Sequence, residues 1–262
     1  RCPFGTDGSA TDQLSINYIR TVLSDPESGI TKPAAIIVEV VQGEGGCIPA
    51  SDAWLIELRN LTLRHEIPLI VDEVQTGLGR TGALFAIEHS GIQPDVLVLS
   101  KAFGGGYPLS VVVYDKRLDT WPPGAHAGTF RGNQIAMVAG LSTMRIVERD
   151  GLSAHADRVG KLLVAGLEAV AGRFPCLGQI RGRGLMIGVE VVIPGPHGQT
   201  GPTHAERAKA IKLNCLRNGL VIETGGRNGA VLRFLPPLIV SEADIHEILN
   251  RFEHAVETAC RA

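Results

Sequence analysis

The chain has 262 residues, 44% hydrophobic and 5% aromatic, with 25 Lys and Arg against 27 Asp and Glu for a formal charge of −2. So even a balance creates no field to draw in nucleic acid or an anionic membrane surface, and no apolar run approaches the ~18–20 residues of a membrane span. The 32 glycines exceed the usual ~7% share without a three-residue period, which excludes collagen, and runs such as AAIIVEVV and DVLVLS bury enough apolar surface to exclude disorder.

The apolar pattern predicts strands over 34–41, 68–71, 94–100 and 109–114, short and rich in β-branched residues, with a helix over 53–65 between the first two. Strands alternating with helices define an α/β fold with a largely parallel sheet covered on both faces. Beyond residue 132 the texture changes: helices are expected over 134–149 and 153–174, the second closed by Pro175. A strand over 185–193, a Gly/Pro loop over 194–202, a helix over 203–218 and a strand near 231–234 follow. Ser241, with Asp244 three residues on, caps a final helix. This second part reads as a smaller α+β domain, so the expected division is 1–150 and 151–262, with no repeat or low-complexity linker. The five cysteines (Cys2, Cys47, Cys176, Cys215, Cys260) lie far apart with no C-x-x-C pair, which argues against a zinc cluster or a disulfide framework and for reduced thiols in a cytoplasm.

Open parallel sheets bind ligands beyond the carboxyl ends of their strands. Polar groups fall at such ends here: Glu39 in AAIIVEVV, Asp72 and Glu73 closing PLIVDE, Gln75 two residues later, and Ser100-Lys101 running into Phe103-Gly104-Gly105-Gly106. A buried salt bridge with ordinary loop glycines accounts for these positions as well as a ligand site does. The glycine-rich turns after both strands favour the site, because glycine lets backbone approach a ligand closely. A desolvated lysine is nucleophilic toward an aldehyde, and a carboxylate suits a heterocyclic nitrogen that must stay protonated. Together they suggest pyridoxal phosphate.

The blocks VEVVQGEGG, IVDEVQTGLGRTG (70–82), PDVLVLSKAFGGGYPLS (94–110), AGTFRGNQ (127–134), RGRGLMIGVE (181–190) and LRFLPPL (232–238) resemble, in order and spacing, the signatures of class-III aminotransferases. The likeness runs over essentially the whole chain and implies a fold-type-I pyridoxal-phosphate enzyme. Within that family GTFRGNQIAM, FPCLGQIRGRGLMIG and ETGGRNGAVLRFLPPL are most similar to diaminobutyrate–2-oxoglutarate aminotransferases. The resemblance implies that Lys101 holds the cofactor covalently and then transfers the proton, that Asp72 pairs with the pyridinium nitrogen, and that Gln75 hydrogen-bonds the ring's phenolic oxygen. Thr129 would reach the cofactor phosphate across a homodimer interface. Arg233 would clamp a substrate carboxylate, with Glu44 neutralising it in one half-reaction and swinging away in the other. Glu39 resembles a family glutamate near this gate, although Val40 stands where the family usually has proline.

The implied partners are a small amino donor and a 2-oxo acid, with no nucleic acid, membrane or metal, and the implied reaction moves the terminal amino group of L-2,4-diaminobutyrate to 2-oxoglutarate. Ornithine, acetylornithine, 4-aminobutyrate or a polyamine as donor, and a non-catalytic pyridoxal-phosphate-binding regulator, remain open alternatives. Gly77–Gly82 satisfies G-x-G-x-x-G, but DEVQT separates it from its strand, unlike a dinucleotide-binding turn. Asp72-Glu73 has no accompanying G-x-x-x-x-G-K-[ST], His246 and His254 read as packing or solvated residues, His126 as a loop or interface histidine, and 181–184 as a turn carrying arginines. The resemblance begins in mid large domain, so the chain reads as the carboxyl-terminal part of a longer protein.

Overall fold

A computed structural model describes residues 8–195 and 200–261. In chain order the elements are α1 (Gly8–Ser24), β1 (Ile36–Glu39), β2 (Val41–Gln42), β3 (Ile48–Pro49), α2 (Asp52–Arg64), β4 (Leu69–Asp72), β5 (Val96–Leu99), β6 (Val111–Tyr114) and α3 (Gln134–Arg149). Then come α4 (Leu152–Ala171), β7 (Leu177–Arg183), β8 (Met186–Pro194), β9 (Thr200–Thr203), α5 (Ala205–Arg217), β10 (Glu223–Gly225), β11 (Val231–Phe234) and α6 (Glu242–Arg261). The chain forms two compact units: 8–40, 50–75 and 87–143 make one, and 41–49, 76–86 and 144–261 the other. The Gly/Pro loop expected over 194–202 lies partly outside the described residues, as does Cys2.

The first unit is a four-stranded sheet ordered β1-β4-β5-β6, parallel across β1, β4 and β5 and antiparallel at β6. Helix α2 starts where Ser51 Oγ accepts the Trp54 amide at 3.0 Å, and it turns Leu55, Leu58, Leu61 and Thr62 inward. Asp95, buried just before β5, locks the strands in register. Its carboxylate accepts from Arg59 at 2.5 Å, from the Leu69 amide at 2.8 Å and from Arg117. Among the described residues, Ile37, Val112 and Val113 of this sheet are at least half exposed.

The second unit is an antiparallel sheet ordered β10-β11-β8-β7, with β9 on β8. Residues 186–192 of β8 are buried without a break, Glu190 among them, so this strand is covered on both faces rather than on alternate residues. Helices α4 and α6 pack on each other, α4 also against β7 and α5 against α6, and the core includes Leu163, Ile187, Val189, Ile211, Leu232 and Phe252. The Phe234 and Phe252 rings meet edge to face at 5.0 Å. As expected, Ser241 caps α6: its Oγ accepts the Asp244 amide at 3.1 Å, and its own amide donates to Asp244 Oδ2 at 2.9 Å.

Candidate active site

Asp72 and Lys101 leave the carboxyl ends of neighbouring parallel strands. Asp72 closes β4 opposite Val98 of β5, and Lys101 follows β5 by two residues. The register also sets Glu39, exposed at the end of β1, opposite Asp72. Asp72 is half-buried and its Oδ1 accepts the Val74 amide at 2.9 Å, which orients the carboxylate. Glu73 is fully buried and accepts the Ile87 amide at 2.8 Å, so the second acid of PLIVDE serves the fold. Gln75 sits half-buried in the turn that follows.

Lys101 is exposed and holds a left-handed backbone at φ +49°, a region that costs a side-chain-bearing residue of order 1–3 kcal/mol. The surroundings enforce it. Ser100 Oγ donates to Leu109 O at 3.0 Å and pairs with Ser110 Oγ at 2.9 Å, while the Phe103 amide donates to Ser100 O at 3.0 Å, closing the 3₁₀ turn Lys101–Gly104. At Gly105, φ +56°, a Cβ would stand 2.3 Å from Thr143 Oγ1 and 3.0 Å from Ala139 O of α3, so only glycine lets this turn seat on that helix. Thr129 lies exposed in the loop before α3.

The second unit holds the other predicted pair. Arg233, on β11, is 2% exposed and its Nη1 donates to Glu44 Oε1 at 2.7 Å, while the Glu44 side chain is 79% exposed. The 41–49 hairpin is held there by the Gly226 amide, which donates to Glu44 O at 2.8 Å, and by Arg181 Nε, which donates to Gly46 O at 3.0 Å. Gly225 leaves room for the guanidinium, since a Cβ there would lie 2.7 Å from Arg233 Cδ. Burial works against the Arg233 cation, but the Glu44 carboxylate and the Cys47 thiol beside it prevail and hold its pKa above the ordinary arginine value. Cys47 is the residue that sequence reasoning missed. It is buried at φ +54°, and burial pushes its thiol up while Arg233 and Arg181 act in the other direction. A scattered cysteine carries no local signal of this contact.

The rival motifs have structural roles. Gly79 and Gly82 of the G-x-G-x-x-G match have φ +86° and +94°, and a Cβ on either would stand 3.0 Å from Ser153 Oγ or Asp157 Cβ at the start of α4. Arg80 between them donates to Leu185 O at 3.2 Å and to Pro236 O, and burial lowers its pKa to about 10. The 181–184 run enters the tight turn between β7 and β8. His126 stacks on Trp121, ring centroids 6.0 Å apart.

An α/β chain with a parallel sheet, and with a carboxylate and a lysine at adjacent strand ends, is of the fold-type-I kind. Residues 9–256 match the family model described as aminotransferase class-III, and the chain belongs to that family. It is 52% identical over 260 residues to a diaminobutyrate–2-oxoglutarate aminotransferase of Rhizobium meliloti (strain 1021), which covers 98% of this chain and 55% of that protein. A Haemophilus influenzae protein of the same name is 42% identical over 264 residues, covering 100% of this chain and 58% of its own length. The chain thus spans somewhat over half the length of these curated relatives. Among solved structures, the ornithine aminotransferase of Toxoplasma gondii, described with partial occupancy of PLP at its active site, superposes with a TM-score of 0.82 at 29% identity, covering 94% of this chain and 55% of that one. Pyridoxal 5′-phosphate is the cofactor of this family, and the donor set at the β4 and β5 ends fits it: an oriented carboxylate for the ring nitrogen and an exposed amine for the aldehyde.

Proposed function

We propose that the protein to which this chain belongs is an aminotransferase that moves the terminal amino group of L-2,4-diaminobutyrate to 2-oxoglutarate, giving aspartate 4-semialdehyde and glutamate. The observation that carries the reading is the Arg233–Glu44 pair, a buried cation whose counter-charge stands on its solvent side. A two-substrate enzyme of this kind must accept a carboxylate in one half-reaction and none at the same place in the other. Arg233 offers the planar fork that binds a carboxylate with two hydrogen bonds. Glu44 occupies it when the diamine is bound and gives way when 2-oxoglutarate arrives; its exposure makes that movement cheap, and the arriving carboxylate keeps the buried charge paired. The names of the relatives support diaminobutyrate as the donor.

Lys101 would hold the cofactor covalently, Asp72 would keep its ring nitrogen protonated, and Gln75 and Thr129 would bind its phenolic oxygen and its phosphate. When bound, the cofactor supplies an electron sink. Lys101 Nζ would take the proton from the carbon that bears the departing amine and return it in the second half-reaction, and the 3₁₀ turn fixes the backbone from which that side chain reaches. Glu39, on the sheet edge beside Asp72, belongs to the substrate-binding set. We place the enzyme in the cytoplasm as a homodimer with shared sites. Scattered cysteines without a C-x-x-C pair favour a reducing compartment, and the exposed apolar residues Phe130, Ile135, Met137 and Val138 favour the assembly.

Two measurements test the reading. With 2-oxoglutarate as acceptor, diaminobutyrate turns over faster than ornithine, acetylornithine or 4-aminobutyrate; equal rates with ornithine and diaminobutyrate defeat the donor assignment. Lys101→Ala abolishes the borohydride-reducible link to the cofactor and lowers turnover roughly 10²–10⁴-fold, and a reducible link that survives the substitution defeats the assignment of Lys101.

A further inference from the structure

Cys176 and Cys260 are 84 positions apart in the chain, yet their sulfurs lie 2.9 Å from each other in the second unit. Cys176 is buried immediately before β7, whereas Cys260 is exposed on the last turn of α6, and both are free thiols. A disulfide needs about 2.05 Å between sulfurs, so less than an ångström of approach separates the pair from a bond. The backbone of Cys176 is pinned, because Val192 N donates to its carbonyl at 2.8 Å and Leu177 N donates to Phe174 O at 2.9 Å. Closure therefore falls to the end of α6.

We propose that Cys176 and Cys260 are an oxidisable pair, a modification site at which a small disulfide joins α6 to the sheet by an intramolecular cross-link. The two thiols have different parts. Cys260, open to solvent, attacks as thiolate one sulfur of the small disulfide; that S–S bond breaks and one thiolate leaves. Cys176, as thiolate, then attacks the Cys260 sulfur and expels the second thiolate. The two protons lost by the cysteines are taken up by the two departing thiolates, and the small disulfide is reduced by the two electrons that the cysteines give up. Burial, and then the neighbouring Cys260, push the Cys176 thiol up to about 12, with the charge of Arg207 acting in the other direction, and the exposed Cys260 is the sulfur that the small disulfide reaches first. The product closes a long loop, which restricts the unfolded chain more than a short one would.

The test treats the native protein with oxidised glutathione. The expected result is loss of two hydrogens in intact mass, a Cys176–Cys260 linked peptide in a non-reducing digest, and a rise in melting temperature on the order of 5 °C that a reductant reverses. Cys260→Ser yields neither the linked peptide nor the shift. Cys176→Ala stops at a stable glutathione adduct on Cys260. A wild-type protein that itself stops at that adduct, or that joins Cys260 only to a second copy, overturns the proposal.

Discussion

The Arg233–Glu44 pair makes separable demands on its two members. A lysine at 233 keeps the charge but loses the two-pronged geometry, so Arg233→Lys raises the KM for 2-oxoglutarate about tenfold or more, the worth of one charge-assisted hydrogen bond, and alters the donor half-reaction less. Glu44→Gln acts on the other half-reaction: without its counter-charge the buried guanidinium competes for anions, so affinity for the diamine falls several-fold while the KM for 2-oxoglutarate stays or drops. Pre-steady-state kinetics of the separate half-reactions check both. If the two variants shift the same half-reaction, the exchange of partners is wrong. Asp72 and Lys101 were legible as candidates because each ends an apolar run, whereas Glu44 and Arg233 were suggested only by the resemblance of their motifs to those of the family. Cys47 was not, since its contact with Arg233 depends on a hairpin folding onto a strand far along the chain.

Elements are held in place by groups away from the chemistry. Asp95 joins β4, α2 and the start of β5, and burial alone would raise its pKa; the hydrogen bonds from Arg59 and the Leu69 amide and the charges of Arg59 and Arg117 prevail and lower it. A carboxyl depressed in the folded state lends stability that is present above its unfolded value near 3.9 and is lost as pH falls through the folded value. Acid denaturation of the first unit therefore sets in below about pH 4, and Asp95→Asn destabilises by about 3 kcal/mol at neutral pH while flattening that acid limb, measured by denaturant melts across pH. In the second unit α4 lies so close to the β7–β8 turn that a Cβ at Gly160 would stand 2.2 Å from Gly184 O. Gly160→Ala thus destabilises by roughly 1–3 kcal/mol although alanine favours helix, an outcome that calorimetry distinguishes from the propensity gain. Helix α3 matched its sequence-predicted bounds, whereas β7, β9 and β10 were not foreseen. LGQIRGR and ETG carry glycine and charge that read locally as turn, and only pairing with β8 and β11 makes them strands.

At the scale of the whole molecule, shared sites make complementation a direct test of the homodimer reading. If the sites are shared as proposed, Lys101→Ala and Thr129→Ala each impair a different contribution to one site, one from each copy. A mixed dimer of the two variants therefore regains one intact site, and the refolded mixture exceeds the mean activity of its parents. Activity at that mean shows that both residues serve the same copy.

The ordered motifs, the strand-end acid and lysine, and the change from α/β to α+β texture were set by sequence alone, because apolar periodicity and turn chemistry act over a few residues. Tertiary structure alone decided which distant residues meet: Arg233 with Glu44 across 189 positions, Cys176 with Cys260 across 84, and Gly160 against the β7–β8 turn. Those meetings follow from sheet order and helix packing, in which each contact is selected by the burial of whole faces rather than by any local pattern around the residues themselves.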